Sequence, residues 1–548
     1  MYNIQGKYTK REYFTNVDSA VGDSTNINLG ATISTTNYGP LNLPLVKKSF
    51  ESQFPKCEYE KYISEEYSPP GLYIICGTRE YSKSSQTNKR NSIVKLAFLT
   101  SKNEHVQVVK IDSNKLFNKD DQKFSKVQKF RKEISLALKI DDDSLHDKTG
   151  ENLKKPVSWG KRPRWQIYSK DGLHRYHDIN LLISGSIENP SGTSLLFTGG
   201  VFFWPGVKIG YKRLINNVEG FGEKEGKHLY LKTLSIRPLI FEIHNFIAME
   251  ECDHLIETSR MHIKSSAVRN MDKDIGKADT MWRTSKTYFM PKGSTDTLKK
   301  LERRVRDITR IPLSHSESAQ ILRYSKTGHY YTHHDYFDPE KFQKSKSTLN
   351  MVENGAKNRL STVFWYMSDV KSGGETNFPR FNGAASPADN KSCLQGLSVK
   401  PKKGKVIIFH NMHPNGDLDP LSLHAGCSVG EGNKWSANKW IWNKPFDSNT
   451  WNGDDIDVNK EKQIDLYLSN GEMYTDETYQ QIDNGGSSSS YSGAILSDGN
   501  MMMLNNQKHR LCSQYNILLV IFIVGICMCW RFLYHGKIGT TINKKEMK

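Results

Sequence analysis

The sequence predicts a mainly β protein with flanking helices, and its best-defined part reads as a double-sheet jelly roll. Three observations lead there. Between residues 236 and 446, short apolar runs ("SAQILRYS", "LSTVFWYMS", "GKVIIFHN", "SANKWIWN") recur, separated by Gly, Pro and Asn turns. Such punctuation after an initial helical stretch suits two packed antiparallel sheets. The helical stretch is "FIAMEECDHLIETSRMHI", whose apolar residues fall at helical spacing. Upstream, residues 52–210 carry further runs of strand length ("GLYIICGT", "SIVKLAFLT", "INLLISGSI", "SLLFTGGVFFW"), so a second folded region of mixed or mainly β character is expected there.

The flanks are different in kind. Residues 1–51 are rich in Asn, Thr, Ser and Gly without a sustained period and read as disordered. Residues 447–514 are polar and low in complexity, a tether. They lead to Tyr515–Tyr534, "YNILLVIFIVGICMCWRFLY", interrupted only by Asn516 and Arg531, which has the length and apolarity of a transmembrane helix. Residues 535–548 form a basic tail.

With 548 residues the chain exceeds a single core, and about three to four domains or a domain with tails are expected. Hydrophobic residues make up 36 %, enough for globular packing. The formal charge of +18 favours anionic surfaces, but zinc-finger spacing, an RNP motif and a Walker loop are all missing, so no nucleic-acid partner is expected. The eight cysteines are scattered, too sparse for a disulfide scaffold and silent on the redox compartment.

Chemistry concentrates in "GHYYTHHDYFD", residues 328–338. On an extended segment, residues i and i+2 point to one side, so His333 and Asp335 form a pair while His334 points away. Two imidazoles and a carboxylate on one face of an octahedral Fe(II) leave the opposite face open for a bidentate co-substrate and dioxygen. The third ligand has to come from elsewhere, and "SLHAGCSVGEGNKWSANKWIWN" supplies His424 after a strand and a polar loop. Ten residues further on, Lys434 can pair with the far carboxylate of a 2-oxoglutarate whose other end chelates iron.

In this order the motifs resemble the catalytic domain of prolyl 4-hydroxylases, iron(II)- and 2-oxoglutarate-dependent dioxygenases acting on peptidyl proline. "ILRYSKTGHYYTHHDYF", "RLSTVFWYMSDVKSGGETNFP" and "SLHAGCSVGEGNKWSANKWI" carry the likeness, with "RTSKTYFM" upstream, over residues 236–446. The resemblance implies iron ligands His333, Asp335 and His424. It implies a 2-oxoglutarate site of Lys434, Tyr324 and Thr376, and L-ascorbate as the reductant that rescues oxidised iron. It further implies a groove for an extended proline-containing polypeptide at Arg283, Ser285, Glu317, Tyr330, Arg359 and Trp440. Trp442 stands where many relatives carry His, and a change at the groove's edge would alter which peptides fit.

The location rests on opposing arguments. "MYNIQGKYTKREYF" has no apolar signal-like core, which with a lone C-terminal span would leave the catalytic domain facing the cytosol. The flanking charges are heavier at the end of the span and after it (Arg531, Lys537, Lys544, Lys545, Lys548) than before it (Lys508, Arg510), which favours a lumenal catalytic domain. The family's usual endoplasmic-reticulum location implies the same. Two other functions fit the sequence less fully: a 2-oxoglutarate oxygenase of another residue or a free amino acid, and a catalytically silent module that binds proline-rich peptides.

Overall fold

The computed structural model describes residues 27–28, 33–64, 67–83, 90–112, 126–140, 165–176 and 179–446. Every element below lies among these described residues. The first sheet has eight antiparallel strands: β1 (Ile27–Asn28), β2 (Ile33–Pro40), β3 (Leu72–Lys83), β4 (Arg90–Leu99), β5 (His105–Asp112), β6 (Gln166–Ser169), β7 (Arg175–Tyr176) and β8 (Thr193–Phe197). Their order is β1-β2-β5-β4-β3-β8-β6-β7. Side chains alternate across a strand, and here both faces are buried. Ile74 and Cys76 of β3 face one core, whereas Ile75 faces another together with Val94, Leu96 and Phe98 of β4. That is why these strands read as continuous apolar runs. Helix α1 (Pro44–Gln53) packs Val46 and Phe50 into the first core, and helix α2 (Lys126–Leu138) covers the other with Phe130 and Ile134.

Two sequence expectations are corrected here. The segment read as disordered to residue 51 contains β2 and α1, because Ile33, Val46 and Phe50 bury apolar surface against the sheet. "INLLISGSI" is not a strand. Ile179–Leu182 forms a 3-10 turn whose Ile179 and Leu182 plug the second core.

The second assembly begins earlier than residue 236. Strands β9 (Lys212–Ile215), β10 (Leu229–Ser235), β11 (Ile240–Ile243), β12 (Lys264–Ser265), β13 (Lys286–Met290), β14 (Ala319–Tyr324), β15 (Tyr330–His333), β16 (Arg359–Tyr366), β17 (Ser372–Gly373), β18 (Thr376–Phe378), β19 (Leu397–Val399), β20 (Val406–His410), β21 (His424–Gly426), β22 (Val429–Glu431) and β23 (Lys434–Trp442) build it. A nine-stranded major sheet runs β12-β13-β14-β23-β16-β20-β11-β10-β9, and a four-stranded minor sheet runs β15-β21-β18-β19. Between them lies the jelly-roll interior. Phe364 and Tyr366 of β16, with Ile407 and Phe409 of β20, meet Phe378, Val399 and Val429 from the opposite side.

The outer face of the major sheet is covered by helices α3 (Met249–Arg260) and α4 (Asp296–Thr309). Leu298, Leu301, Val305 and Ile308 line one stripe of α4, as the 3.6-residue period requires. Thr295 caps its start by accepting from Leu298 N at 3.1 Å. Val363 and Trp365 of β16 lie in the same core as Ile74, Leu195 and Phe197 of the first sheet, so the two assemblies share one hydrophobic interior.

Behind the site one ion pair is completely enclosed. Lys439 of β23 (0 % exposed) donates to Glu302 of α4 (1 % exposed) at 2.5 Å and to the Glu317 carbonyl at 2.7 Å. Removing one partner leaves an uncompensated buried charge. Lys439→Met is therefore expected to lower unfolding free energy by about 3–5 kcal/mol in chemical denaturation, far more than a surface lysine would.

Candidate metal centre and active site

Antiparallel pairing of β15 with β21 sets His333 directly opposite His424. Their ring centroids are 4.3 Å apart. Asp335 follows β15 by two residues and turns back to both. His333 Nε2 lies 3.6 Å from its Oδ1, and His424 Nε2 lies 3.7 Å from its Oδ2. The three ligand atoms fall within 4.8 Å of one another, which lets one cation reach all of them.

The backbone settles which nitrogen faces the centre. His333 Nδ1 is 2.8 Å from the Tyr331 carbonyl and His424 Nδ1 is 2.9 Å from the Ser422 carbonyl. A carbonyl can only accept, so Nδ1 carries the proton on both rings and each Nε2 lone pair is left for a metal. Burial, reinforced by His333, pushes the His424 pKa down to about 3, so the ring is neutral as a ligand has to be. Burial alone would raise the Asp335 carboxyl, but the groups around it, the Arg359 guanidinium among them, hold it below the usual carboxylate range. Thr362 Oγ1 donates to Asp335 Oδ2 at 2.7 Å. His334 points away, as the two-residue period predicts, and donates from Nε2 to the Pro420 carbonyl at 3.1 Å.

Lys434, at the start of β23, is cross-strand to Tyr324. It is 2 % exposed, and its Nζ sits 5.2–5.7 Å from the ring centroids of Phe364, Tyr324 and Tyr366. Among the described residues no hydrogen bond or ion pair meets it. Burial lowers its pKa to about 7, while Glu375 pulls the other way at longer range. An ammonium enclosed by aromatic faces without an acceptor is costly unless an anion joins it, and a dicarboxylate end fits that need. Thr376 lies beside this box and accepts from Tyr366 Oη at 2.7 Å. A Cβ on Gly426 would come 3.8 Å from Tyr324 Oη, and Gly426 pairs with both Tyr330 and Thr376.

The six groove residues form two clusters, both reaching the metal-bearing segment. In the first, Tyr330 stacks on His333 at 3.6 Å and lies under Arg283 at 4.7 Å, while Arg283 Nε donates to Ser285 Oγ at 2.6 Å. In the second, Arg359 donates twice to Glu317, at 2.6 and 3.0 Å, and once to the Asp335 carbonyl at 3.2 Å. Its guanidinium lies 3.5 Å from the centroid of Trp440. Two buried donors in these clusters, Arg283 Nη2 and Trp440 Nε1, have no partner among the described residues.

The expectation for Trp442 is corrected. It is not at the groove's edge but fully buried (0 % exposed), and its Nε1 donates to Glu317 Oε1 at 2.7 Å. It acts on the groove only from below, by anchoring the carboxylate that holds Arg359. Sequence reading also missed Thr362 and Tyr366. Their contacts come from strand register, and no motif spacing announces them.

A model of the 2OG-Fe(II) oxygenase superfamily matches residues 319–442, the stretch that holds the histidines, the aspartate and Lys434. Probable prolyl 4-hydroxylase 10 of Arabidopsis thaliana is 40 % identical over 227 residues, covering 40 % of this chain and 74 % of the plant protein. The chain belongs to the prolyl 4-hydroxylase family. Prolyl 4-hydroxylase 5 of the same plant is 38 % identical over 226 residues, covering 40 % of this chain and 74 % of its own. Among solved structures, the viral collagen prolyl hydroxylase of Paramecium bursaria Chlorella virus-1 in complex with 2-oxoglutarate is 26 % identical. It aligns with 37 % of this chain and 95 % of its own, at a TM-score of 0.26. This family member is a 2-oxoglutarate-dependent dioxygenase, and the His–Asp–His cluster and the unpaired lysine fit the iron and co-substrate that the family uses.

The lysine gives the site a pH signature. A carboxylate binds the ammonium form, so raising pH through about 7 removes the charge that attracts it. Calorimetric titration is expected to show 2-oxoglutarate affinity falling as pH rises above that value. Lys434→Met is expected to bind at least about tenfold more weakly at low pH and to lose the pH dependence.

Proposed function

We propose that the protein is a membrane-anchored peptidyl-proline 4-hydroxylase, with His333, Asp335 and His424 holding Fe(II) and Lys434, Tyr324 and Thr376 holding 2-oxoglutarate. The single observation that carries this reading is a buried Lys434 without an acceptor among the described residues, in the same jelly roll as a three-ligand His–Asp–His face. When bound, iron and the keto acid supply the oxidising chemistry: one atom of O2 enters the substrate C–H bond, and the other leaves in succinate with release of CO2.

The chain's own residues do the rest. The Tyr331 and Ser422 carbonyls fix the imidazole tautomers, and Thr362 fixes the carboxylate. Arg283, Ser285 and Tyr330 reach the metal-bearing segment at His333, and Glu317, Arg359 and Trp440 reach it at the Asp335 carbonyl, and these two clusters are the candidate contacts for an extended peptide. The spare Arg283 and Trp440 donors suit peptide carbonyls, and the aromatic faces suit a proline ring, which lacks a backbone N–H. L-ascorbate completes the scheme by reducing iron oxidised in turnovers that miss the substrate.

The purified full chain, given Fe(II), 2-oxoglutarate, ascorbate and proline-rich peptides, is expected to add the mass of one oxygen to proline. Succinate formation without any change on proline would reject the substrate in favour of another residue. His424→Ala is expected to abolish turnover while leaving the circular dichroism spectrum unchanged.

The anchor is the apolar segment 515–534, which lies outside the described residues. Among the described residues no helix is long and apolar enough to cross a membrane. Two disulfides, Cys57–Cys76 and Cys393–Cys427, support a lumenal catalytic domain in the endoplasmic reticulum, since such bonds persist in oxidising compartments. Sealed microsomes carrying the protein are expected to protect the catalytic region from added protease. Digestion before detergent would place that region in the cytosol.

A further inference from the structure

We infer that the N-terminal β-module, residues 33–204, is a working part of the metal centre, because it grips the loop 411–423 whose two ends orient Asp335 and His424. This inference rests on the assignment of His333, Asp335 and His424 as iron ligands.

The loop touches the centre at both ends. At its start, Asn411 Nδ2 donates to Thr362 Oγ1 at 3.2 Å, and Thr362 donates in turn to Asp335 Oδ2 at 2.7 Å. Because the Thr362 oxygen is already accepting from Asn411, its one proton is aimed at the carboxylate. At the loop's end, the Asp419 carboxylate accepts from Leu421 N at 2.8 Å and the Asp419 carbonyl accepts from Ser422 Oγ at 2.8 Å. The Ser422 carbonyl then receives His424 Nδ1. Between them, the Pro420 carbonyl takes His334 Nε2 and Arg380 Nη1, both at 3.1 Å, which ties the loop to the residue lying between His333 and Asp335.

The middle of the loop is held from outside the jelly roll. His413 N and the Asp417 carbonyl close a turn at 2.7 Å, with Pro414, Asn415 and Gly416 at its tip. Asn415 N donates to the Pro70 carbonyl at 2.9 Å, and Gly199 N donates to the Pro414 carbonyl at 2.7 Å. These are main-chain contacts made possible by missing side chains. A Cβ on Gly199 would meet Pro414 O at 2.6 Å and Gly416 N at 2.9 Å, and a Cβ on Gly71 would meet Asn415 N at 2.5 Å. Phe203 adds a ring stacked at 4.8 Å on His410, the residue just before the loop. Outer partners of metal ligands fix ligand orientation, and their loss typically costs about 10–100-fold in metal affinity. The module thus acts on the metal without touching it.

The test is Co(II) titration of the full chain, read as dissociation constant and as ligand-field absorption, with turnover left out. Gly199→Ala wedges module from loop and is expected to weaken Co(II) binding about tenfold and to shift the absorption band, with secondary structure retained. Ile75→Val loosens the module on its far face and is expected to lower Tm while leaving Co(II) affinity and spectrum as in the wild type. Should Gly199→Ala fail to fold, Phe203→Leu carries the same expectation in the same direction. Wild-type affinity and spectrum in a folded wedge variant would overturn the inference, as would an equal loss of affinity in Ile75→Val. Failure of the wild-type chain to bind Co(II) at all would instead remove the ligand assignment beneath it.

Discussion

One rung of one ladder governs this structure: the antiparallel pairing of β15 with β21 that places His333 opposite His424. Cross-strand neighbours approach within about 5.5 Å, so two imidazoles from distant sequence meet without any special loop. Asp335 completes the face because extended backbone returns to the same side after two residues. The rest of the minor sheet continues from β21 through β18 to β19. Thr376 and Gly426 lie opposite each other one strand over.

The treatment of buried charge separates scaffold from site. Lys439 is enclosed and satisfied by Glu302 and the Glu317 carbonyl. Arg359 is met by both oxygens of Glu317, and that carboxylate is in turn met by Trp442. Lys434 is buried nearly as deeply as Lys439 and has no acceptor among the described residues. Proteins rarely tolerate an isolated cation in an aromatic box unless a ligand completes it. The contrast along β23 is between Lys434, without an acceptor among the described residues, and Lys439, with two.

The first sheet and the jelly roll are not beads on a string. Ile74, Phe197, Trp365 and Ala437 belong to one hydrophobic interior, and the loop that precedes His424 leans on main chain from the first sheet. Loops near a metal need rigidity that their own few hydrogen bonds do not supply, and a second packed layer supplies it. This arrangement gives the region upstream of the oxygenase strands a physical reason to be there.

The sequence by itself made the mainly β jelly-roll architecture and the oxygenase family legible. His333, Asp335, His424 and Lys434 were legible because strand period, ligand chemistry and motif order are local or nearly local properties. The apolar runs of β3, β4, β14, β16, β20 and β23 were legible for the same reason. Local pattern failed where burial was decided at a distance. Residues 33–53 look too polar to fold until Val46 and Phe50 find the sheet, and Ile179–Leu182 has a strand's composition but plugs a core as a turn. The disulfides, the inward position of Trp442, and the chain from Asn411 through Thr362 to Asp335 join residues far apart in sequence. Only the tertiary structure decided them, because hydrogen bonds and packing depend on which atoms meet in space, and no spacing along one chain segment encodes that.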